Sequence, residues 1–190
     1  MSTSFIIAID PGWLNTGWCI VKRSSMPRFP ELVDAGVIMN DKRKARSTGH
    51  AARTRMILSE LGSVLEMYSP KVAVFERNLG SRSVKAAVAM RSAFTIVVAA
   101  LHGAGIAEDF TFEVTPQSMR KAVTGKGTGV PKEQMHEWIL AKKGFDLLPQ
   151  MLLDQGVSRS RHEHALDAAL IAYLGFQDGA VKRALKDPKV

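Results

Sequence analysis

The sequence predicts an α/β domain in which a five-stranded mixed sheet is flanked by helices. Three observations lead there. Two short β-forming runs, 5–10 and 16–22, are joined by a tight Pro-Gly loop, and a third run follows at 32–39. After residue 50 helix-like and strand-like segments alternate, the pattern of a sheet covered by helices. A chain of 190 residues suffices for one domain with a real core and falls short of two. A single domain over 1–190 is therefore expected, with 181–190 as a flexible tail.

The elements follow in order. The runs Phe5 to Asp10, Thr16 to Lys22 and Leu32 to Met39 make an antiparallel three-strand meander. A basic stretch follows, with Lys42, Arg43, Lys44, Arg46, Arg53 and Arg55, either a phosphate-contacting surface or a solvated face. Ile57, Leu61, Val64, Leu65 and Tyr68 recur at helical spacing, and Pro70 ends that helix. Val72 to Phe75 is a buried strand ending at Glu76. A long Ala-rich helix is expected from Ser81 to Gly103, then a fifth strand from Phe110 to Val114. Thr115 as N-cap and Pro116 in the first turn open a short helix to about Val123. A flexible or turn-rich Gly125-Lys126-Gly127-Thr128-Gly129 linker leads to a helix between Pro131 and Lys143. The last helix runs from His162 to Tyr173, with Leu166, Ala169, Leu170 and Tyr173 on its apolar stripe.

Composition narrows the class. A hydrophobic fraction of 46% describes a globular protein. The net charge of +8, from 26 basic and 18 acidic side chains, favours a polyanionic partner, with nucleic acid foremost. Cys19 stands alone in an apolar run, where it packs as a small buried side chain and forms no internal disulfide. Neither a basic leader before an apolar core nor an unbroken run of about 18 apolar residues is present, so a cytoplasmic protein without a membrane partner is expected.

Three acidic residues stand where a carboxylate is awkward for packing. Asp10 follows Phe5-Ile6-Ile7-Ala8-Ile9, Glu76 follows Val72-Ala73-Val74-Phe75, and Asp167 interrupts the apolar helix Ala165 to Ala172. Each has an ordinary reading, as a turn residue, a strand-end charge and a solvated helix position. Together they point to paired or metal-bound carboxylates, because an uncompensated buried charge costs several kcal/mol. On the last helix Glu163 and His164 lie on the face of Asp167, and His162 is turned away. Oxygen donors with one imidazole suit Mg²⁺ or Mn²⁺ better than a structural zinc. Trp13, beside Asp10-Pro11-Gly12, is either a core residue or a lid over this site.

Asp10-Pro11-Gly12 with Thr16-Gly17, then Phe75-Glu76, then His164-Ala165-Leu166-Asp167-Ala168 resemble the ordered acidic motifs of the RuvC-type Holliday junction resolvases, a branch of the RNase H-like nucleases. The resemblance runs over nearly the whole chain. It implies an RNase H-like fold and hydrolysis of DNA phosphodiesters by two Mg²⁺ ions, for which Mn²⁺ substitutes, leaving 5′-phosphate and 3′-hydroxyl ends. It makes Asp10, Glu76 and Asp167 metal ligands, and its fourth acidic position falls on His164, with Glu163 the competing residue. Arg120 and Lys132 match positions where the family places phosphate-contacting bases, and Lys121 and Lys126 stand beside them.

Arg77, Arg82, Lys85 and Arg91, near the start of the long helix, are expected to line a second part of the DNA channel. Where the family carries an aromatic this chain has Leu79, which the resemblance casts as an apolar wedge without base stacking. The implied partners are a four-way DNA junction and a second copy of the chain, paired through the 81–103 helix, with no small-molecule cofactor. Three alternatives share some of these features. An actin-type or sugar-kinase-type ATP-binding protein needs two such domains and a longer chain. A YqgF-type nuclease would act on RNA or on other branched DNA, and a junction-binding module would lack catalysis.

Overall fold

The computed structural model describes residues 4–23, 29–39, 49–77 and 83–186. Strands β1 (Phe5–Asp10), β2 (Asn15–Arg23) and β3 (Pro30–Met39) form the expected meander. Helix α1 (His50–Tyr68) leads to β4 (Val72–Glu76), and α2 (Val84–Gly103) leads to β5 (Thr111–Val114). The sheet order is β3-β2-β1-β4-β5, with β1 antiparallel to β2 and parallel to β4, and β4 parallel to β5. The remaining elements are α3 (Pro116–Thr124), α4 (Lys132–Leu140), α5 (Leu148–Asp154), α6 (His162–Gln177) and α7 (Gly179–Ala184).

The unbroken apolar runs of β1 and β4 reflect a sheet covered on both faces. Ile6, Ala8, Val72 and Val74 pack toward α6, with Ile139, Phe145 and Leu152 in the same cluster. Ile7, Ile9, Ala73 and Phe75 pack on the other face against Ile57, Leu61 and Leu65 of α1 and Ala93, Val97 and Leu101 of α2. Helix α6 is the central helix, with every residue from Ala165 to Tyr173 buried. Gly175 lets it lie close on the sheet, since a Cβ there would come within 2.8 Å of both methyls of Val74. Trp13 is a core residue, 9% exposed, stacked on His50 at 4.3 Å between ring centroids.

Helix α3 begins as its sequence predicts: Thr115 Oγ1 accepts from the Ser118 amide at 3.1 Å, and the Ser118 hydroxyl accepts from the Thr115 amide at 3.0 Å. The linker after it is turn-rich, with left-handed Gly125 and Gly129. The structure departs from the sequence reading in several places. Helix α1 starts at His50, so Arg53 and Arg55 belong to it, whereas Lys42, Arg43, Lys44 and Arg46 lie outside the described residues. A turn at 145–147 and α5 fill a stretch for which no element was expected. Where a tail was expected from 181, α7 reaches Ala184 and buries Val181 and Ala184 against the core, and 187–190 lie outside the described residues. Helix α2 is long and apolar enough by composition to cross a membrane, yet its Ala93, Ile96, Val97 and Leu101 face the sheet.

Candidate active site

Strand parity decides where the acidic side chains go. Even-numbered residues of β1 and β4 face α6, so Asp10 and Glu76, the next even positions after Ala8 and Val74, are aimed at the same helix. Ile9 pairs with Phe75, which sets the two carboxylates at the ends of neighbouring parallel strands. The first turns of α6 cross this edge and bring His164 and Asp167 to it. Gly17, paired with Asp10 across the β1–β2 ladder, makes that approach possible. A Cβ on Gly17 would sit 1.9 Å from the His164 carbonyl oxygen.

Two sets of contacts hold the site, and Glu163 lies between them, with Oε1 3.7 Å from His164 Nε2. In the first, His164 Nδ1 lies 3.2 Å from Asp10 Oδ2, and Asn15 Nδ2 lies 3.2 Å from His164 Nε2. The amide nitrogen of Asn15 can only donate, so Nε2 accepts and the ring proton is on Nδ1, which donates to Asp10. In the second, Asp167, 8% exposed, gives Oδ2 to Lys132 Nζ at 2.7 Å and Oδ1 to His136 Nε2 at 2.8 Å. Lys132 also reaches Glu163 Oε2 at 3.2 Å.

The carboxyls feel one another. Burial raises the pKa of Asp10, the His164 hydrogen bond opposes that rise, and Asp167 adds to it. Glu76 is pushed up to about 7 by burial and then by Asp10 and Asp167, against the pull of Lys132 and Arg120. Burial alone would favour loss of the Lys132 proton, but Asp167 and Glu163 outweigh it and raise that pKa. This crowding of acidic groups is the electrostatic signature of a place that a cation would stabilise. Among the described residues, no three Asp, Glu, His or Cys side chains converge as a ready-made metal cage. Asp167 is instead turned toward the ammonium of Lys132, which stands at its Oδ2 as a cation would.

The basic residues divide by position. Arg120 and Lys132 line one cavity of about 200 Å³ with Glu76 and Asp167. Lys121 and Lys126 are exposed on α3 and the loop after it. Arg77 pairs with Glu113, Nε to Oε2 at 3.4 Å, on the outer edge of the sheet. Lys85 and Arg91 are exposed on α2, and Lys85 borders a cleft that also reaches Asn15 and His164. Leu79 and Arg82 lie outside the described residues. His162 is buried with Nε2 3.0 Å from the Val157 carbonyl, turned away from the acidic groups as expected.

Two residues at the site were not singled out from sequence. Asn15 begins β2 at an odd position, on the same face as Gly17 and Cys19, and that parity was the signal for it. His136 lies four residues after Lys132, one helical turn along α4, so both reach the same carboxylate.

The comparisons with known proteins agree with this geometry. The profile of the family described as crossover junction endodeoxyribonuclease RuvC matches residues 6–143. A protein of that name from Roseiflexus sp. (strain RS-1) is 30% identical over 150 residues, 79% of this chain and 83% of the relative. Another, from Mesorhizobium japonicum, is 30% identical over 167 residues, 88% of this chain and 86% of the relative. Among solved structures, T. thermophilus RuvC in complex with Holliday junction substrate superposes with a TM-score of 0.68 at 20% identity, covering 92% of this chain and 96% of that one. The profile match contains Asp10, Glu76 and Lys132 and stops short of α6. His164 and Asp167 fall beyond the profile match but within the 88% of the chain aligned with the Mesorhizobium japonicum relative.

Proposed function

This chain belongs to the crossover junction endodeoxyribonuclease RuvC family, and from that premise we propose that it resolves Holliday junctions as a structure-selective DNA endonuclease. Its five-stranded mixed sheet flanked by helices is the RNase H-like fold of that family. The carrying observation is that Asp10 and Glu76, on adjacent parallel strand ends, share one edge of the sheet with Asp167, and that both have pKa values raised first by burial and then by neighbouring carboxylates, Asp167 for Asp10 and both Asp10 and Asp167 for Glu76.

The donor set fits Mg²⁺ or Mn²⁺: carboxylate oxygens dominate, no thiolate is near, and burial leaves the acidic groups short of compensating charge. Asp10, Glu76 and Asp167 would hold the metal, with His164 as the fourth member. Divalent ions bound there would supply a nucleophilic water and stabilise the leaving 3′-oxygen. The protein's own groups do the rest. His164, fixed by Asn15, orients Asp10. Arg120 and Lys132 neutralise the scissile phosphate beside Glu76, and Lys121 and Lys126 track the neighbouring backbone without reading bases. The expected products carry 5′-phosphate and 3′-hydroxyl ends.

A four-way junction needs two coordinated cuts, which calls for a two-fold pair of active sites. The exposed apolar face at the start of α2, with Val84 82% and Val88 56% exposed, supports a homodimer through that helix. The test uses labelled four-way, forked and linear duplex DNA, each with Mg²⁺, Mn²⁺ or chelator. Metal-dependent nicking of the four-way junction is expected. Equal cutting of linear duplex would remove the junction preference, and binding without cutting in any metal would favour a non-catalytic junction-binding module.

A further inference from the structure

The geometry points to His136 as the positioning residue that selects which oxygen of Asp167 is offered to a divalent cation. This inference rests on the metal-nuclease reading above and deepens it. Asp167 sits on a helix with two carboxylate oxygens and two partners, and the partners are unequal. His136 Nε2 is 2.8 Å from Oδ1, comes from a half-buried ring, and has no other hydrogen-bonding acceptor among the described residues. Lys132 Nζ is 2.7 Å from Oδ2, but it also has Glu163 Oε2 at 3.2 Å, and its side chain is 44% exposed.

The consequence follows from that asymmetry. A short, partly buried imidazole contact fixes Oδ1 and with it the rotation of the whole carboxylate. The lysine is a flexible stem with a second carboxylate already in reach, so it can leave Oδ2 and keep a partner. Oδ2 is therefore the exchangeable oxygen, held by an ammonium in this structure and released to a divalent cation when one arrives. The contact His136 makes is with Asp167 Oδ1. His136 acts through Asp167, as hydrogen-bonded outer partners orient the ligands of metal sites in general.

Metal affinity separates this role from a merely structural one. Mn²⁺ is titrated calorimetrically into full-length protein without DNA, for the wild type, Asp167→Asn, His136→Ala, His136→Leu and His136→Gln, with thermal melting of each in chelator. The expected result is that His136→Ala and His136→Leu bind Mn²⁺ roughly 10- to 100-fold more weakly, at melting temperatures close to wild type. His136→Gln, which keeps a donor, recovers most of the loss. His136→Leu fills the ring's volume and serves if the alanine variant unfolds. Wild-type Mn²⁺ affinity in His136→Leu, alongside loss of binding in Asp167→Asn, would overturn the role of His136 and leave the metal site standing. No Mn²⁺ binding by the wild type would overturn both.

Discussion

Asp10 and Asp167 face the same edge of the sheet, but they are held by different means. Asp10 is placed by the backbone: it is the last residue of a central strand, buried on both sides, and among the described residues its side-chain hydrogen-bond partner is His164 at 3.2 Å. Asp167 is placed by side chains: Lys132 and His136, from a separate helix, take one oxygen each. A strand end in a packed sheet cannot move without disturbing the core. A helix-borne carboxylate clamped by a lysine can exchange its partner. The site thus combines a rigid half, which sets position, with an adaptable half, which can respond to a cation or phosphate.

The largest effect should come from removing charge on the rigid half. Asp10→Asn, with Glu76→Gln beside it, is expected to lower junction nicking by about 10³-fold or more while leaving junction binding near wild type; gel-shift and nicking assays on the same samples check both parts. An active Asp10→Asn protein would break the distinction.

The next effect concerns how closely α6 approaches the sheet. Gly17→Ala places a Cβ 1.9 Å from the His164 carbonyl oxygen, against backbone that has no soft rotation to absorb it. A loss of about 3 kcal/mol or more in urea unfolding is expected, together with reduced nicking as His164 is pushed from Asp10. Wild-type stability in Gly17→Ala would show that α6 is not held against β2 as described.

Glu76, between the two halves, gives a pH signature. Its pKa is 4.5 in the unfolded reference and about 7 in the fold, so the folded protein holds that proton more tightly. Its contribution to stability is fully present below about pH 4.5 and is lost as pH rises through about 7. In chelator, this group should cost the wild type about 2 to 3 kcal/mol between pH 5 and pH 8 relative to Glu76→Gln. Equal pH slopes for the two proteins would mean that neither burial nor the charges of Asp10 and Asp167 raise the Glu76 pKa.

The smallest effects lie on the exposed rim. Arg120→Ala and Lys126→Ala are each expected to weaken junction binding less than about tenfold, similarly for all sequences, and to reduce the salt slope by about 1. A change in base preference at the cut would instead assign these residues to sequence reading.

The rigid half was legible in the sequence because its rule is local. Runs such as Phe5 to Asp10 and Val72 to Glu76 alternate faces with period two, so a charge at the end of each is an anomaly visible without a structure. Asp167 was visible for the same reason in a helix buried nearly all round. Helix α5 was not, because Phe145, Leu148 and Leu152 are spread over a short turn and a seven-residue helix with Pro149 between them, which hides the period. Asn15 and His136 stayed hidden because their contacts, 149 and 31 residues apart in sequence, exist only once α6 and α4 have docked. The three carboxylates could be read as a pattern; the partners that hold them are a tertiary arrangement.

The central claim is that Asp10, Glu76 and Asp167 jointly hold divalent cations where DNA is cut. Anomalous scattering from Mn²⁺ in crystals of the protein bound to a four-way junction tests it directly. Two peaks about 3.5 to 4 Å apart are expected, ligated by these three carboxylates at the scissile phosphate, with Lys132 withdrawn from Asp167 Oδ2. Mn²⁺ peaks away from this edge, or none with Lys132 still on Asp167 and the junction bound, would contradict it.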